Sequence, residues 1–193
     1  MTEQKQLTFF DLLHAVKAAG NVAEEERIII FGSNAIVPWL TRSMKLNTSM
    51  DIDITFFNDE KGIKTNNVDG AIGELSNFHQ TFGYWVHGVS IDETRFPMGW
   101  KDRLVKLEDE LLDGKVGYLL SPSDLCAVKL SAGREKDIHF VSLVLKYDIA
   151  DEDDIQKCIN LLSHRKTIAE QNLRIAVQIQ KKIQRKNTIG LSL

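Results

Sequence analysis

Two aspartates stand two positions apart in an apolar stretch of the chain, within Met50-Asp51-Ile52-Asp53-Ile54. Side chains of a β-strand alternate between its two faces, so both carboxylates should share one face while the isoleucines point into a core. Like charges on one face repel each other, and a bound divalent cation reverses that repulsion. Mg²⁺ binds one or two carboxylates together with substrate phosphates. The pair therefore predicts a site for Mg²⁺, or for Mn²⁺ in its place, and the alternative is a solvent-facing acidic strand end.

A glycine-serine pair precedes these acids, directly after the β-branched run Arg27-Ile28-Ile29-Ile30-Phe31. Gly32 permits a close approach of the backbone to a ligand and an unusual φ angle. Ser33 is expected to cap a helix over residues 34–44, whose first N–H groups and dipole attract anions. Pro38 should kink this helix or delay its start. The pair predicts a phosphate-binding turn, and an ordinary structural cap is the alternative.

The elements around these motifs predict an α+β fold. Strands are expected at residues 27–31, 50–57, 84–91, 103–107 and 115–120, and helices at 8–20, 70–79, 122–132, 134–147, 152–163 and 166–186. The polar residues 58–70 are predicted to form a loop over the site. Because mixed elements are followed by helices alone, we expect a sheet core over residues 1–120 and a helical region over residues 121–193.

Gly32, Ser33, Asp51 and Asp53 together resemble the signature of the polymerase-β-type nucleotidyltransferase superfamily. That signature is a strand, a Gly-Ser turn, a helix, and a strand carrying Asp-x-Asp. The 17 residues between Ser33 and Asp51 exceed the spacing of the tightest members and suggest an insertion around residues 41–49. The resemblance implies a small mixed sheet flanked by helices. It also implies that Gly32 and Ser33 hold the outer phosphates of a nucleotide, and that Asp51 and Asp53 bind the metals.

A second block contains Lys129, Arg134 and Asp137. It resembles the Lys…Arg and Lys-Asp motifs of bacterial toxin-type and abortive-infection-type nucleotidyltransferases, the AbiEii and MenT groups and their uncharacterised relatives. The resemblance spans residues 25–147. It implies that Lys129 and Arg134 neutralise the triphosphate, and that Asp137 is a third catalytic acid. Asp92, at the end of the third predicted strand, is the alternative third acid, and an ion-pair network at a helix terminus is the alternative for the whole block.

The resemblance implies a cytoplasmic enzyme that moves a nucleoside monophosphate from a nucleoside triphosphate to a hydroxyl group. The acceptor would be an RNA, such as a tRNA 3′ end, or a protein, and a small molecule is the alternative. Membership of the toxin-type branch would add a role in a toxin-antitoxin or phage-defence system, with a cognate antitoxin or other neutralising partner. The alternative is a binding or regulatory module that keeps the fold without catalysis and acts through a partner protein.

Charge is distributed unevenly over the chain. Residues 163–193 carry seven basic side chains and one acidic one, a net +6, which leaves −9 on residues 1–162. A basic tail on an acidic body fits contact with nucleic acid, and its alternative is a solvated helix face. The polar N-terminus and the absence of a long apolar run predict no signal peptide and no membrane span. None of the five histidines pairs with another at metal-ligand spacing, so structural or surface roles are expected for them.

Overall fold

A computed structural model describes residues 6–46, 48–59 and 61–190, except for the side chains of residues 186–190. The fold is α+β, with a mixed sheet flanked by helices and a helical C-terminal half, as predicted. The chain divides into two compact units. The first unit comprises Met1–Leu40, Asn47–Thr94 and Arg103–Leu120, and the second comprises Thr41–Leu46, Arg95–Asp102 and Ser121–Leu193.

The first unit contains a five-stranded sheet in the order β3-β2-β1-β5-β4. Its strands are β1 (Arg27–Phe31), β2 (Asp51–Phe56), β3 (Trp85–Gly88), β4 (Val105–Leu107) and β5 (Val116–Leu119). β1 pairs antiparallel with β2 and parallel with β5, while β2 pairs parallel with β3 and β4 pairs antiparallel with β5. Among its described residues, the α-helices of this unit are α1 (Phe9–Ala23), α2 (Ile63–Ile72) and α3 (Asn77–Phe82).

Alternation along β2 places its two kinds of side chain on opposite faces. Ile52 and Ile54 are fully buried, whereas Asp51 and Asp53 are only partly buried. A side chain at Gly88, which pairs with Ile54, would run into the backbone carbonyl of Thr65 in α2. Paired residues of neighbouring strands share a face, so α2 covers the isoleucine face. The aspartates lie on the other face, as predicted.

Helix α1 has the predicted N-terminal cap. The Thr8 side chain accepts a hydrogen bond from the Asp11 N–H, and the Asp11 carboxylate accepts one from the Thr8 N–H at 2.8 Å. The predicted end at Gly20 is wrong, because the helix continues to Ala23 and Glu24 takes the left-handed capping conformation. Gly20 instead lies close to the Lys115 side chain, where a Cβ would not fit.

Other elements also differ from their predicted bounds. The helix expected over residues 34–44 is a short 3₁₀ helix, Ser33–Trp39, which contains Pro38. Pro38 disfavours an α-helix here because it lacks an N–H and its ring clashes with the carbonyl four residues earlier. Residues 58–70 are not all loop, since α2 begins at Ile63, and the helix expected at 70–79 is replaced by the end of α2 and by α3. The third strand ends at Gly88 rather than at residue 91.

The second unit contains the helices α4 (Pro122–Ala132), α5 (Glu135–Lys146), α6 (Glu152–Asn160) and α7 (Lys166–Gly190), close to their predicted positions. Ser121 caps α4 by accepting a hydrogen bond from the Asp124 N–H at 3.2 Å, and Pro122 follows at the first helical position. Helix α7 contributes apolar side chains to the core of this unit, namely Ala169, Leu173, Ala176 and Val177.

Candidate functional site

Strand register brings a histidine next to the aspartate pair. In the parallel pairing of β2 with β3, Asp51 lies opposite Trp85 and Asp53 lies opposite His87. Opposite residues point to the same face, so His87 joins the two carboxylates. One ligand atom from each of Asp51, Asp53 and His87 can be chosen so that all three atoms lie within 4.8 Å of one another. Two neighbouring strands thus build a compact group of three potential metal ligands.

His87 is bound directly to one of the carboxylates. Its Nδ1 atom lies 3.1 Å from Oδ1 of Asp53 and donates a hydrogen bond to it. This hydrogen bond raises the pKa of His87 above its ordinary value, although partial burial opposes the shift. The negative charges of Asp53, Asp69 and Asp51 raise the pKa of His87 further. The face is therefore strongly electronegative and attracts cations.

The Gly32 turn presses against the same carboxylate. Gly32 has φ 67° and ψ −167°, a backbone conformation that is almost confined to glycine. A Cβ atom built at Gly32 would overlap the Asp53 carboxylate. The glycine turn therefore lies next to the acid pair, as expected. Ser33 begins the 3₁₀ helix instead of capping an α-helix, and no side chain caps this helix, so the predicted helix-dipole contribution from a long helix is wrong.

A buried asparagine fastens the turn to the acidic strand. Asn34 is 1% exposed, and its Nδ2 donates hydrogen bonds to the carbonyl oxygens of Ser49, at 3.0 Å, and Asp51, at 2.7 Å. These bonds tie the residue after the Gly-Ser pair to the chain that enters β2. The amide of Asn34 thus holds the turn and the Asp51 backbone in one geometry.

The second block predicted from sequence lies in the second unit. Asp137 is 1% exposed, and its carboxylate accepts hydrogen bonds from Arg134 Nε at 2.6 Å and from Arg134 Nη2 at 3.2 Å. Lys129 Nζ lies 3.4 Å from Oδ1 of the same carboxylate and 4.4 Å from the centre of the Phe140 ring. Burial lowers the pKa of the Lys129 ammonium, and Asp137 opposes this shift only in part. The block thus contains an ion-pair network in which Asp137 and Lys129 are buried and Arg134 is exposed. Binding of a triphosphate by Lys129 and Arg134 stays a prediction.

The structure thus distributes the predicted residues over the two units. Gly32, Ser33, Asp51 and Asp53 belong to the first unit, and Lys129, Arg134 and Asp137 belong to the second. Asp92 does not close a strand as predicted, because β3 ends at Gly88 and Asp92 lies in the short 3₁₀ helix Ile91–Glu93. The roles of Asp137 and Asp92 as a third acid stay predictions.

Sequence analysis missed His87 as a member of this site. The alternation of Trp85-Val86-His87-Gly88 was a usable signal that His87 lies on the same strand face as Trp85. Which face of β2 it joins depends on the pairing register of two strands whose facing residues Asp53 and His87 are 34 positions apart, and no local pattern specifies that register.

The donor set of this face fits a divalent cation. Carboxylate oxygens are the preferred ligands of Mg²⁺ and Mn²⁺, and a neutral imidazole nitrogen binds transition ions. The missing Cβ of Gly32 leaves the Asp53 carboxylate room against the turn. Asp51, Asp53 and His87 could therefore hold a metal on this face.

A mixed sheet that sets a Gly-Ser turn against an Asp-x-Asp strand is the arrangement on which the resemblance to nucleotidyltransferases depends. The family described as nucleotidyltransferase of unknown function (DUF6036) has a model that matches residues 8–185. The chain therefore belongs to this family of nucleotidyltransferases. Neither a curated protein nor a solved structure gave a match to the chain. Among the helices of the described residues, none has the length and apolarity needed to cross a membrane.

Proposed function

We propose that the protein transfers a nucleoside monophosphate from a nucleoside triphosphate to an acceptor hydroxyl, with release of pyrophosphate. The observation that carries this proposal is the contact of the Gly32 turn with the carboxylate of Asp53 on a face that also holds Asp51. A glycine turn admits phosphates close to the backbone, and paired carboxylates hold the cations that phosphates require. Membership of a nucleotidyltransferase family supports the same reaction class.

In this proposal Asp51 and Asp53 hold Mg²⁺ or Mn²⁺, and the backbone at Gly32 and Ser33 contacts the outer phosphates. Bound ions supply electrostatic stabilisation of the charge that develops on the transferred phosphoryl group. The acceptor oxygen forms a bond to the α-phosphorus while the bond to pyrophosphate breaks, and the hydroxyl proton passes to the third acid, Asp137 or alternatively Asp92. Asn34 keeps the turn and the start of β2 in register, so that phosphates and carboxylates face each other without reorganisation.

Finer parts of the proposal come from the resemblance to toxin-type and abortive-infection-type enzymes. We assign Lys129 and Arg134 to the triphosphate, and Asp137, or alternatively Asp92, to the third acidic role. Asp137 also forms ion pairs with Lys129 and Arg134, and these ion pairs hold the two cationic side chains in position. An RNA or protein acceptor and a neutralising antitoxin belong to this part of the proposal.

The proposed reaction is tested by label transfer. The full chain is incubated with each nucleoside triphosphate, labelled at the α- or the γ-phosphate, with Mg²⁺ or Mn²⁺ and with total RNA or cell protein. Transfer of the α-label but not of the γ-label is expected, since only the nucleoside monophosphate moves. If nucleotide binding depends on the metal but no label is transferred, the protein is a binding module without catalysis, which is the alternative to an enzyme.

Substitution of the acids gives the matching residue test. Asp53→Asn is expected to abolish transfer and metal-dependent nucleotide binding, because the amide cannot replace an anionic ligand. Asp113→Asn is the control: this exposed carboxylate pairs with Lys17 on the same unit, at 3.1 Å. Asp51→Asn should also abolish transfer, while its melting temperature stays unchanged or rises slightly because repulsion is relieved. A large fall in melting temperature would show that Asp51 is structural.

A further inference from the structure

We propose that His87 is a ligand of the metal held by Asp51 and Asp53, and that this ligand makes the site select Mn²⁺ over Mg²⁺. The inference depends on the proposed function insofar as that function places a divalent cation on this face. It goes beyond that function by naming a third ligand and by choosing between two metals.

The spacing of His87 and Asp53 suits their coordination of one metal ion. Ligands of an octahedral ion at about 2.1 Å from the metal lie about 3 Å apart when they are adjacent. The separation of His87 Nδ1 from Asp53 Oδ1 is 3.1 Å. One ligand atom each from Asp51, Asp53 and His87 can be chosen so that all three lie within 4.8 Å of one another. A cation can therefore take the place of the proton that the imidazole shares with Asp53, and this proton passes to solvent.

The backbone holds this arrangement on two sides. His87 and Asp53 are opposite residues of two hydrogen-bonded strands, so the strand pairing fixes the spacing of their Cα atoms. The next residue, Gly88, is packed against the Thr65 carbonyl, and its N–H donates a hydrogen bond to Asp69 at 3.3 Å.

The chemistry of the ligand decides which metal binds. Mg²⁺ is a hard cation that binds oxygen, keeps several waters and gains little from an imidazole. Transition ions accept imidazole nitrogen together with carboxylate oxygen. A set of two carboxylates and one neutral imidazole carries a formal charge of −2, against −3 for three carboxylates. Compared with three carboxylates, this set therefore attracts Mg²⁺ less strongly, and it provides a nitrogen ligand that Mn²⁺ can bind.

Electron spin-echo envelope modulation of bound Mn²⁺ tests the ligand directly. The full chain is loaded with Mn²⁺ and a non-hydrolysable nucleoside triphosphate, once with natural isotopes and once with ¹⁵N-labelled histidine. The expected spectrum shows ¹⁴N modulation from a directly bound imidazole, and this modulation changes to the ¹⁵N pattern in the labelled protein. Bound Mn²⁺ without any histidine nitrogen coupling would overturn the inference, and this measurement needs no variant.

Variants then assign the nitrogen and the selectivity. In His87→Asp the nitrogen coupling should disappear while Mn²⁺ remains bound, and Mg²⁺ should displace the Mn²⁺ at several-fold lower concentration than in the natural protein. His139→Asp, at an exposed position of α5, is the control and should change neither quantity. Persistence of the coupling in His87→Asp, or unaltered competition by Mg²⁺, would contradict the inference.

The two proposals fail in distinguishable ways. If α-label transfer proceeds equally with Mg²⁺ and Mn²⁺ and no histidine coupling is seen, only the inference about His87 is lost. If neither metal binds to the natural protein and no label is transferred, the proposed function is lost as well.

Discussion

At the scale of single residues, Gly32 carries two constraints at once. Its φ and ψ angles lie in a region that is essentially restricted to glycine, and its missing side chain gives space to the Asp53 carboxylate. Either constraint alone would be compatible with an ordinary turn. Together they mean that any side chain at this position must displace both the backbone and the proposed metal ligand.

Gly32→Ala should therefore lower the free energy of unfolding by about 3 kcal/mol and should abolish metal-dependent nucleotide binding. Gly83→Ala is the control, because Gly83 also has a positive φ, of 77°, but open space surrounds the position of its Cβ. That variant should lose only about 1–2 kcal/mol, the cost of a left-handed conformation. Urea unfolding and nucleotide titration measure both effects. Equal losses in the two variants would show that contact with Asp53 is unimportant.

Sequence predicted the two aspartates of this site but not its histidine, for a physical reason. The period of two within one strand is local, so the shared face of Asp51 and Asp53 follows from their spacing. His87 reaches them only through the pairing of β2 with β3, which is a property of the folded sheet.

At the level of secondary-structure elements, most of α2 was predicted to be loop because its sequence is polar. The helix is held from outside by Asp59, which is buried and accepts hydrogen bonds from the N–H groups of Lys64 and Thr65, both at 2.9 Å. The Thr65 hydroxyl also donates to this carboxylate, at 2.8 Å. An aspartate four residues before a helix is not a standard N-cap, so the sequence pattern did not predict that α2 begins at Ile63. By contrast, α4 was predicted because Ser121 and Pro122 are ordinary helix-start residues.

Asp59→Ala should lower the free energy of unfolding by about 1–3 kcal/mol, because three donors at the start of α2 lose a charged acceptor. Asp109→Ala is the control at an exposed position, where the carboxylate accepts one hydrogen bond from Leu111. It should cost no more than about 1 kcal/mol. Denaturant unfolding of both variants at neutral pH measures the difference, and an equal small loss would mean that α2 does not depend on Asp59.

The contribution of Asp59 has a defined pH dependence. Burial raises its pKa, but the hydrogen bonds from Lys64 and Thr65 outweigh this effect, so the pKa lies below its ordinary value of 3.8. A carboxylate with a lowered pKa stabilises the fold above its unfolded pKa and loses that contribution as the pH falls through its folded pKa. The stability difference between the natural protein and Asp59→Ala should therefore shrink below about pH 4.

At the scale of the whole molecule, the positive charge lies on a helix that the second unit needs for its core. Removal of all residues after Ser163 would take away the apolar side chains that α7 buries, so a truncated chain does not test the role of the charges. The exposed cations Lys181, Lys182 and Arg185 can be neutralised without touching that core. Lys186 belongs to the same basic run, but its side chain lies outside the described residues.

The triple variant Lys181→Gln, Lys182→Gln, Arg185→Gln should weaken binding of a single-stranded RNA acceptor and reduce the slope of log affinity against log salt by about 2. Each phosphate contact with a single strand releases about 0.7 counterions, so the loss of three contacts reduces the slope by about 2. A control variant removes three other exposed lysines, Lys61, Lys101 and Lys136, and should change the slope little. Salt-independent binding by the natural protein would exclude a nucleic-acid acceptor.

The fold class followed from the order of strands and helices, because that order is a local property of the sequence summed along the chain. The proposed catalysis depends instead on the contact between the Gly32 turn and the two aspartates of β2. Diffraction from crystals of the full chain with Mn²⁺ and a non-hydrolysable nucleoside triphosphate examines that place directly. We expect an anomalous peak for Mn²⁺ beside the carboxylates of Asp51 and Asp53, with the triphosphate against the backbone of Gly32 and Ser33. A nucleotide bound elsewhere, with no metal on these carboxylates, would contradict it.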